Sequence, residues 1–255
     1  MAPVSRRGTG ATVVRAGCYT EGVDIDKTAL VTGGTGGLGT AVTTRLLADG
    51  WRVVVPWIAE AELERLEPHP NLELIKADLF EVDSVAEVAA LAGGREDAPL
   101  RAVANLVGGF AMGAPVHQTP VEDFEQQLRL NLRPTYLTTH AALPYLIDAG
   151  GGSIVAMSTK AAFAPFAGAA GYITSKAAVW ALVSALAVEY KDAGIRVNAI
   201  LPSVIDTPGN RAGQPDSSRK GWVSPQDIAD VIAFLFGPHS SAITGAQVPV
   251  PGVGA

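Results

Sequence analysis

Cys18 is the only cysteine in the 255-residue chain, which excludes an internal disulfide. The four histidines, His69, His117, His140 and His239, lie far apart and never take the spacing of a ligand set, so no metal site is expected. Positive charge is also scarce. Nineteen lysines and arginines face 25 aspartates and glutamates, a net charge of −6 that gives a nucleic-acid partner no electrostatic footing. No uninterrupted apolar run approaches the roughly 18 residues a membrane span needs, so no membrane partner is expected. The first twenty residues hold Arg6, Arg7 and Arg15 but no acid. Such a start is shared by organellar transit peptides and by disordered leaders, and it lacks a secretory apolar core. A disordered leader over residues 1–25 and a cytoplasmic protein are the expectation, with folded structure beginning near Asp26.

Charged residues are only 17% of the chain and hydrophobic ones 48%, enough to fill a large buried core. From residue 26 short β-branched runs alternate with helical patterns. Strands are predicted at Ala29–Thr32, Arg52–Val55, Leu72–Lys76, Ala102–Leu106, Ser153–Met157, Arg196–Ile200 and Gln247–Val250. Helices are predicted at about 37–49, 59–67, 82–92, 121–148, 170–193 and 225–237. Near-continuous apolar strands separated by helices predict an α/β fold: a doubly wound, Rossmann-type parallel sheet of about seven strands, covered on both faces. No repeat or composition break divides residues 26–255, so one domain is expected. The Gly-, Pro- and Ser-rich stretch 206–222 reads as an irregular loop of lid type.

Residues 28–39, TALVTGGTGGLG, run from a buried strand through glycines into a helix. A dinucleotide pyrophosphate needs backbone N–H groups unobstructed by Cβ atoms and aimed from a helix N-terminus. Gly33, Gly37 and Gly39 suit that need, although a flexible loop would carry the same glycines. Position directly after the first strand favours nucleotide binding. Farther on, Tyr172 and Lys176 stand four residues apart in a helical pattern and so share a face. A cation near a phenol favours the phenolate and lowers a pKa that is ordinarily about 10. Such a tyrosine can pass a proton to or from a carbonyl or imine.

Taken in order, Thr32-Gly33-x-x-x-Gly37-x-Gly39, Asn105-Leu106-Val107-Gly108, Asn131, Tyr172-x-x-x-Lys176 and Pro202…Thr207 resemble the short-chain dehydrogenase/reductase family over about residues 27–251. The resemblance implies a nicotinamide cofactor, a small-molecule substrate and a homodimer or homotetramer. It places cofactor contacts at Gly33, Thr35, Gly36, Gly37, Leu38, Trp57, Asp78, Leu79, Asn105, Val107, Gly108, Tyr172, Lys176, Pro202, Val204, Ile205 and Thr207. It implies that Tyr172 exchanges the substrate proton, that Lys176 also holds the nicotinamide ribose, and that Asn131 bends its helix and holds a water leading from the lysine. Pro134 nearby also predicts a kink.

Two positions depart from the family pattern. The serine that polarises the substrate oxygen falls on Thr159, with Ser158 one residue earlier; Thr159 is favoured as the hydroxyl donor and Ser158 kept as the alternative. Leu106–Phe110, Thr159–Ala162 and Leu201–Arg211 are locally similar to dihydropteridine reductase and its bacterial relatives, which lack that serine. A pterin is therefore one candidate substrate beside a carbonyl or alcohol, and apolar Phe110, Met112, Phe163 and Phe166 would suit a ring. The second departure is at the end of the second predicted strand, where an acid selects NAD and a base NADP. Pro56-Trp57-Ile58-Ala59 offers neither, and Gly36 supplies no base. A desolvated phosphate without a cation is costly, so NAD is favoured over NADP. The same fold also hosts epimerases, lyases, cyclases and nucleotide-binding regulators, and these stand as alternatives to a redox enzyme.

Overall fold

The computed structural model describes residues 13–15 and 26–252. In chain order the elements are β1 (Val13–Arg15), β2 (Thr28–Thr32), α1 (Gly39–Ala48), β3 (Arg52–Trp57), β4 (Leu72–Lys76), α2 (Val82–Gly93) and β5 (Leu100–Asn105). Then come α3 (Val121–Asn131), α4 (Arg133–Asp148), β6 (Gly152–Met157), α5 (Ala170–Glu189), β7 (Ile195–Pro202), α6 (Pro208–Gly213), α7 (Pro225–Phe236) and β8 (Gln247–Val250). The strands form one sheet in the order β1-β4-β3-β2-β5-β6-β7-β8. All neighbours from β4 to β8 pair in parallel, as predicted, and β1 pairs antiparallel with β4, Val14 opposite Leu74. Val13–Arg15 thus adds an eighth, edge strand from the segment expected to be a disordered leader; its other residues, 1–12 and 16–25, lie outside the described ones.

Alternation along each strand divides the core in two. Leu30, Val54, Val103, Ile154 and Val197 face one side, where α2, α4 and α5 cover them. Ala29, Val31, Val53, Val55, Ala104 and Val155 face the other, under α1 and α7. Among the described residues helices cover both faces, which leaves the strand ends to carry a site. From β2 the chain winds outward to β3 and β4, then returns to β5 on the other side of β2. That reversal opens a crevice at the carboxyl ends of β2 and β5.

The helices depart from expectation where local chemistry overrides periodicity. The pattern over 121–148 breaks at Leu132, which ends α3 and begins α4, with Pro134 in the first turn of the second helix where its missing N–H costs nothing. The stretch 59–67 is a 3₁₀ turn over Glu60–Arg65; Pro68 disfavours helix at Glu67 and cuts the run short. Helix α5 stops at Glu189, and Gly194, at φ +71°, turns the chain into β7. The loop 206–222 is not wholly irregular. Thr207 accepts the Asn210 N–H as N-cap, Pro208 fills the first helical position, and α6 forms despite its glycines. By length and composition the 20-residue α5 could cross a membrane, which a search for uninterrupted apolar runs passes over because Lys176 interrupts it. Here it lies against β6 and β7, with Val179, Val183 and Leu186 in the core.

At the opposite end of the strands Arg52, 2% exposed, joins several elements. Its guanidinium donates to both carboxylate oxygens of Glu73 on β4 at 3.1 and 3.0 Å, to the Thr28 hydroxyl on β2, and to the Leu91 and Ala92 carbonyls of α2. Arg52→Met is expected to lower the unfolding free energy by about 3–5 kcal/mol, the usual consequence of deleting one member of a buried pair. Denaturant unfolding measures this, and a loss below about 1 kcal/mol would show that the network is dispensable.

Candidate active site

The chain leaves β2 through Gly33, whose φ of +69° suits a residue without a side chain. A Cβ there would lie 3.3 Å from the Val107 nitrogen, so the turn presses against the segment leaving β5. A Cβ on Gly39 would strike the Gly33 carbonyl oxygen, and one on Gly37 would come within 2.9 Å of the Thr207 Cβ. Leu38 precedes α1 with no side chain capping the helix and no acid in its first turn. Uncapped amides at a helix start, reached through glycines, are what a pyrophosphate requires, and the residues present fit a dinucleotide. Thr32 fastens the arrangement: its hydroxyl donates to Ala104 O at 3.3 Å and accepts the Leu106 N–H at 3.2 Å. Beyond β7, Pro202 is buried, Val204 is exposed, and Ile205 bridges Val223 before the chain reaches Thr207 beside Gly37. Asn105 is buried and its side-chain amide donates to Thr139 on α4, while its Oδ1 has no hydrogen-bond partner.

Tyr172 and Lys176 sit in the first two turns of α5. The Lys176 ammonium, 4% exposed, donates to the Met157 carbonyl at 3.1 Å. A Cβ on Gly108 would lie 2.7 Å from that nitrogen and 2.6 Å from Asn131 Oδ1, so Gly108, Asn131 and Lys176 meet at one point. Asn131 accepts the Gly109 N–H at 3.0 Å and donates to the Gln127 carbonyl at 3.2 Å. Burial lowers the Lys176 pKa to about 8. Burial also pushes the Tyr172 phenol above its ordinary value, and a hydrogen bond with Thr159 partly opposes this. The expected depression of Tyr172 by Lys176 is therefore absent from this arrangement, because the ammonium is turned toward Met157.

The two candidate hydroxyls separate clearly. Ser158, 1% exposed, donates to the Lys176 carbonyl at 2.8 Å, a tether between β6 and α5. Thr159 accepts the Ala161 N–H at 3.3 Å and lies within hydrogen-bonding reach of the Tyr172 phenol. Tyr172 also borders a cavity of about 600 Å³ lined by Met112, Val116, Phe124, Gln127 and Gly171, among others. The Phe110 ring packs edge-on against Tyr172 at 4.9 Å and lies 6.3 Å from Phe166. Phe163 instead packs on Trp180, 4.6 Å away.

On the other half of the crevice Trp57 ends β3 with its indole N–H buried and unpartnered, and the Lys76 ammonium lies 5.6 Å from its ring. Asp78 follows β4 and accepts the Phe80 N–H at 2.9 Å in a local turn, and Leu79 is buried. Sequence reasoning missed two residues here. Thr35 donates its hydroxyl to Glu62 at 2.7 Å, and Arg65 donates to the Thr35 carbonyl at 3.2 Å and to Glu62 at 3.1 Å. A cation thus does stand beside the glycine turn. The available signal was charge on the stretch after Trp57, which the helix predicted at 59–67 absorbed without a role.

The lowered Lys176 pKa has a sign that can be checked. Between about 8 and its ordinary 10.5, the unfolded chain binds this proton and the folded chain does not. Stability due to this group is therefore present above pH 10.5 and is lost as pH falls through 8. Urea unfolding at pH 8 and pH 10 should show wild type gaining on Lys176→Met as pH rises. A pH-independent difference would show that Lys176 titrates at its ordinary value.

The family model described as short chain dehydrogenase matches residues 27–217. The chain is 31% identical over 245 residues to 2-(R)-hydroxypropyl-CoM dehydrogenase of Xanthobacter autotrophicus, covering 89% of this chain and 98% of that one. It is 31% identical over 247 residues to dehydrogenase/reductase SDR family member 4 of Bos taurus, covering 89% and 86%. Among solved structures, 3-ketoacyl-(acyl-carrier-protein) reductase from Brucella melitensis complexed with NADH superposes at a TM-score of 0.79 with 26% identity, covering 90% and 98%. Order of motifs, sheet topology and these similarities agree: the chain belongs to the short-chain dehydrogenase/reductase family of nicotinamide-dependent oxidoreductases.

Proposed function

We propose that this protein interconverts a carbonyl and an alcohol on a small apolar substrate, with Tyr172 as the acid–base group. One observation carries the reading: Tyr172 lines a cavity of about 600 Å³ and stands one helical turn before the buried Lys176. A nicotinamide dinucleotide bound along the glycine turn supplies the hydride in reduction and accepts it in oxidation. In reduction the carbonyl π pair moves onto oxygen and takes the phenolic proton of Tyr172. Thr159 accepts from Ala161, and its O–H, directed at the Tyr172 phenol, would turn to the substrate oxygen. The Ser158 O–H is already engaged by the Lys176 carbonyl. Lys176 would hold the ribose by turning from Met157, and its ammonium would place positive charge beside the phenolate that Tyr172 becomes.

Tyr172→Phe is expected to reduce turnover by about 10²–10⁴-fold and to leave the Kd for reduced cofactor nearly unchanged. Near wild-type turnover on a substrate panel would remove Tyr172 from this role.

Thr159→Ala and Ser158→Ala should differ. The first is expected to cost about 10²–10³-fold in kcat with little change in thermal stability. The second should lower stability by about 1 kcal/mol while keeping most activity. If both stay within about tenfold of wild type, the charge is spread over a conjugated acceptor such as a quinonoid pterin instead of a simple carbonyl. A larger kinetic loss for Ser158→Ala would reverse the assignment of the donor.

A further inference from the structure

In a doubly wound sheet a dinucleotide crosses the carboxyl edge at the switch point, here between β2 and β5. Tyr172 and Lys176 follow β6, so the reacting ring belongs on that side and the adenosine on the side of β3 and β4. A carboxylate about 20 residues past the glycine turn ordinarily receives the ribose 2′-hydroxyl. The end of β3 has none. Trp57 stands there, and an indole can donate but not accept.

We propose that Glu62 receives the adenosine ribose hydroxyl in place of a β3 acid, and that the chain consequently prefers NAD to NADP. The inference rests on the nicotinamide-dependent reading above. Glu62 is held against the glycine turn itself. One carboxylate oxygen accepts the Thr35 hydroxyl at 2.7 Å, and the other accepts from Arg65 at 3.1 Å. The same Arg65 nitrogen donates to the Thr35 carbonyl at 3.2 Å, so both partners of Glu62 are anchored on one loop. Thr35 is buried, whereas the Glu62 side chain keeps 37% of its surface exposed and is open to an incoming ligand.

Charge decides between the two cofactors. A ribose hydroxyl donates to a carboxylate, whereas a 2′-phosphate would set a dianion against it. Arg65 holds Glu62 and the Thr35 carbonyl through one nitrogen, Nη1, so a phosphate on its remaining N–H groups would still lie against the Glu62 carboxylate. Lys76, the other cation at this edge, has its ammonium over the Trp57 ring. Arg65 then serves to hold the acid in place.

Fluorescence titration with NADH and with NADPH, read as Kd, tests this without any substrate. Wild type should bind NADH about tenfold or more tightly than NADPH, as a charge-assisted hydrogen bond at the ribose would give. Glu62→Gln keeps the volume and removes the charge. It should weaken NADH about tenfold and leave NADPH unchanged or tighter. Arg65→Met should weaken NADH by a few-fold, through a less firmly held carboxylate, and should not weaken NADPH more than NADH. A melting curve for each variant confirms folding, and Glu62→Asp, which keeps the charge on a shorter stem, should fall between wild type and Glu62→Gln. The proposal is overturned if Glu62→Gln leaves both Kd values unchanged, or if wild type prefers NADPH and Arg65→Met abolishes that preference. If wild type binds neither cofactor, the nicotinamide-dependent reading itself falls with it.

Discussion

The site depends on how closely the turn after β2 approaches the chain leaving β5. These strands are neighbours in the sheet but 72 residues apart where the Thr32 hydroxyl reaches Ala104 O. Thr32 spans the junction as donor and acceptor, and Gly33 lets the two backbones come together where any side chain would crowd Val107. That approach fixes the crevice. Glycine amides line its floor, Gly108 and Asn131 lie to one side of it, and the Glu62–Arg65 pair lies to the other. Thr207, arriving from β7, closes the far side of the turn against Gly37. The segments leaving β2, β3, β5 and β7 thus converge at the glycine turn.

Within that frame Lys176 is the energetically awkward residue. Burying an ammonium disfavours its charge, and a single carbonyl acceptor from Met157 only partly replaces water. Ser158 fixes the α5 backbone at that residue to β6, so the lysine stem is held while its tip has a choice of acceptors. A lysine so placed gains from any further acceptor brought to it, whether a sugar hydroxyl or a phenolate. Tyr172 faces the complementary problem, since burial favours its neutral form until a positive charge or a hydrogen bond offsets it. The two groups are each destabilised in their charged forms by the same apolar surroundings, and each is the natural remedy for the other.

Much of this was legible in the sequence because it is carried by spacing. Seven strands follow from short, near-continuous apolar runs, and the glycine turn from its position directly after the first of them. The sharing of a helix face by Tyr172 and Lys176 follows from 3.6 residues per turn. Errors arose where a short capping sequence outweighed composition, as at Thr207-Pro208, or where a proline truncated an amphipathic run, as at Pro68. The short strand Val13–Arg15 was invisible because three residues carry no period, and only the unpaired edge of β4 gives them a structure.

The sequence by itself determined the parallel sheet, the glycine turn and the Tyr172–Lys176 face, since each depends on residues near one another in the chain. Only the tertiary structure decided which hydroxyl is tied to the Lys176 carbonyl and which acid stands beside the turn. Ser158 and Thr159 are adjacent and chemically alike, but the pleat and the packing of α5 direct one to a carbonyl and the other to Tyr172. Glu62 is one of several acids in a polar stretch, and it differs from Glu60 or Glu64 by a contact with Thr35, 27 residues earlier. Hydrogen-bond partners are set by distances in space, and no local pattern encodes a distance between residues that the fold alone brings together.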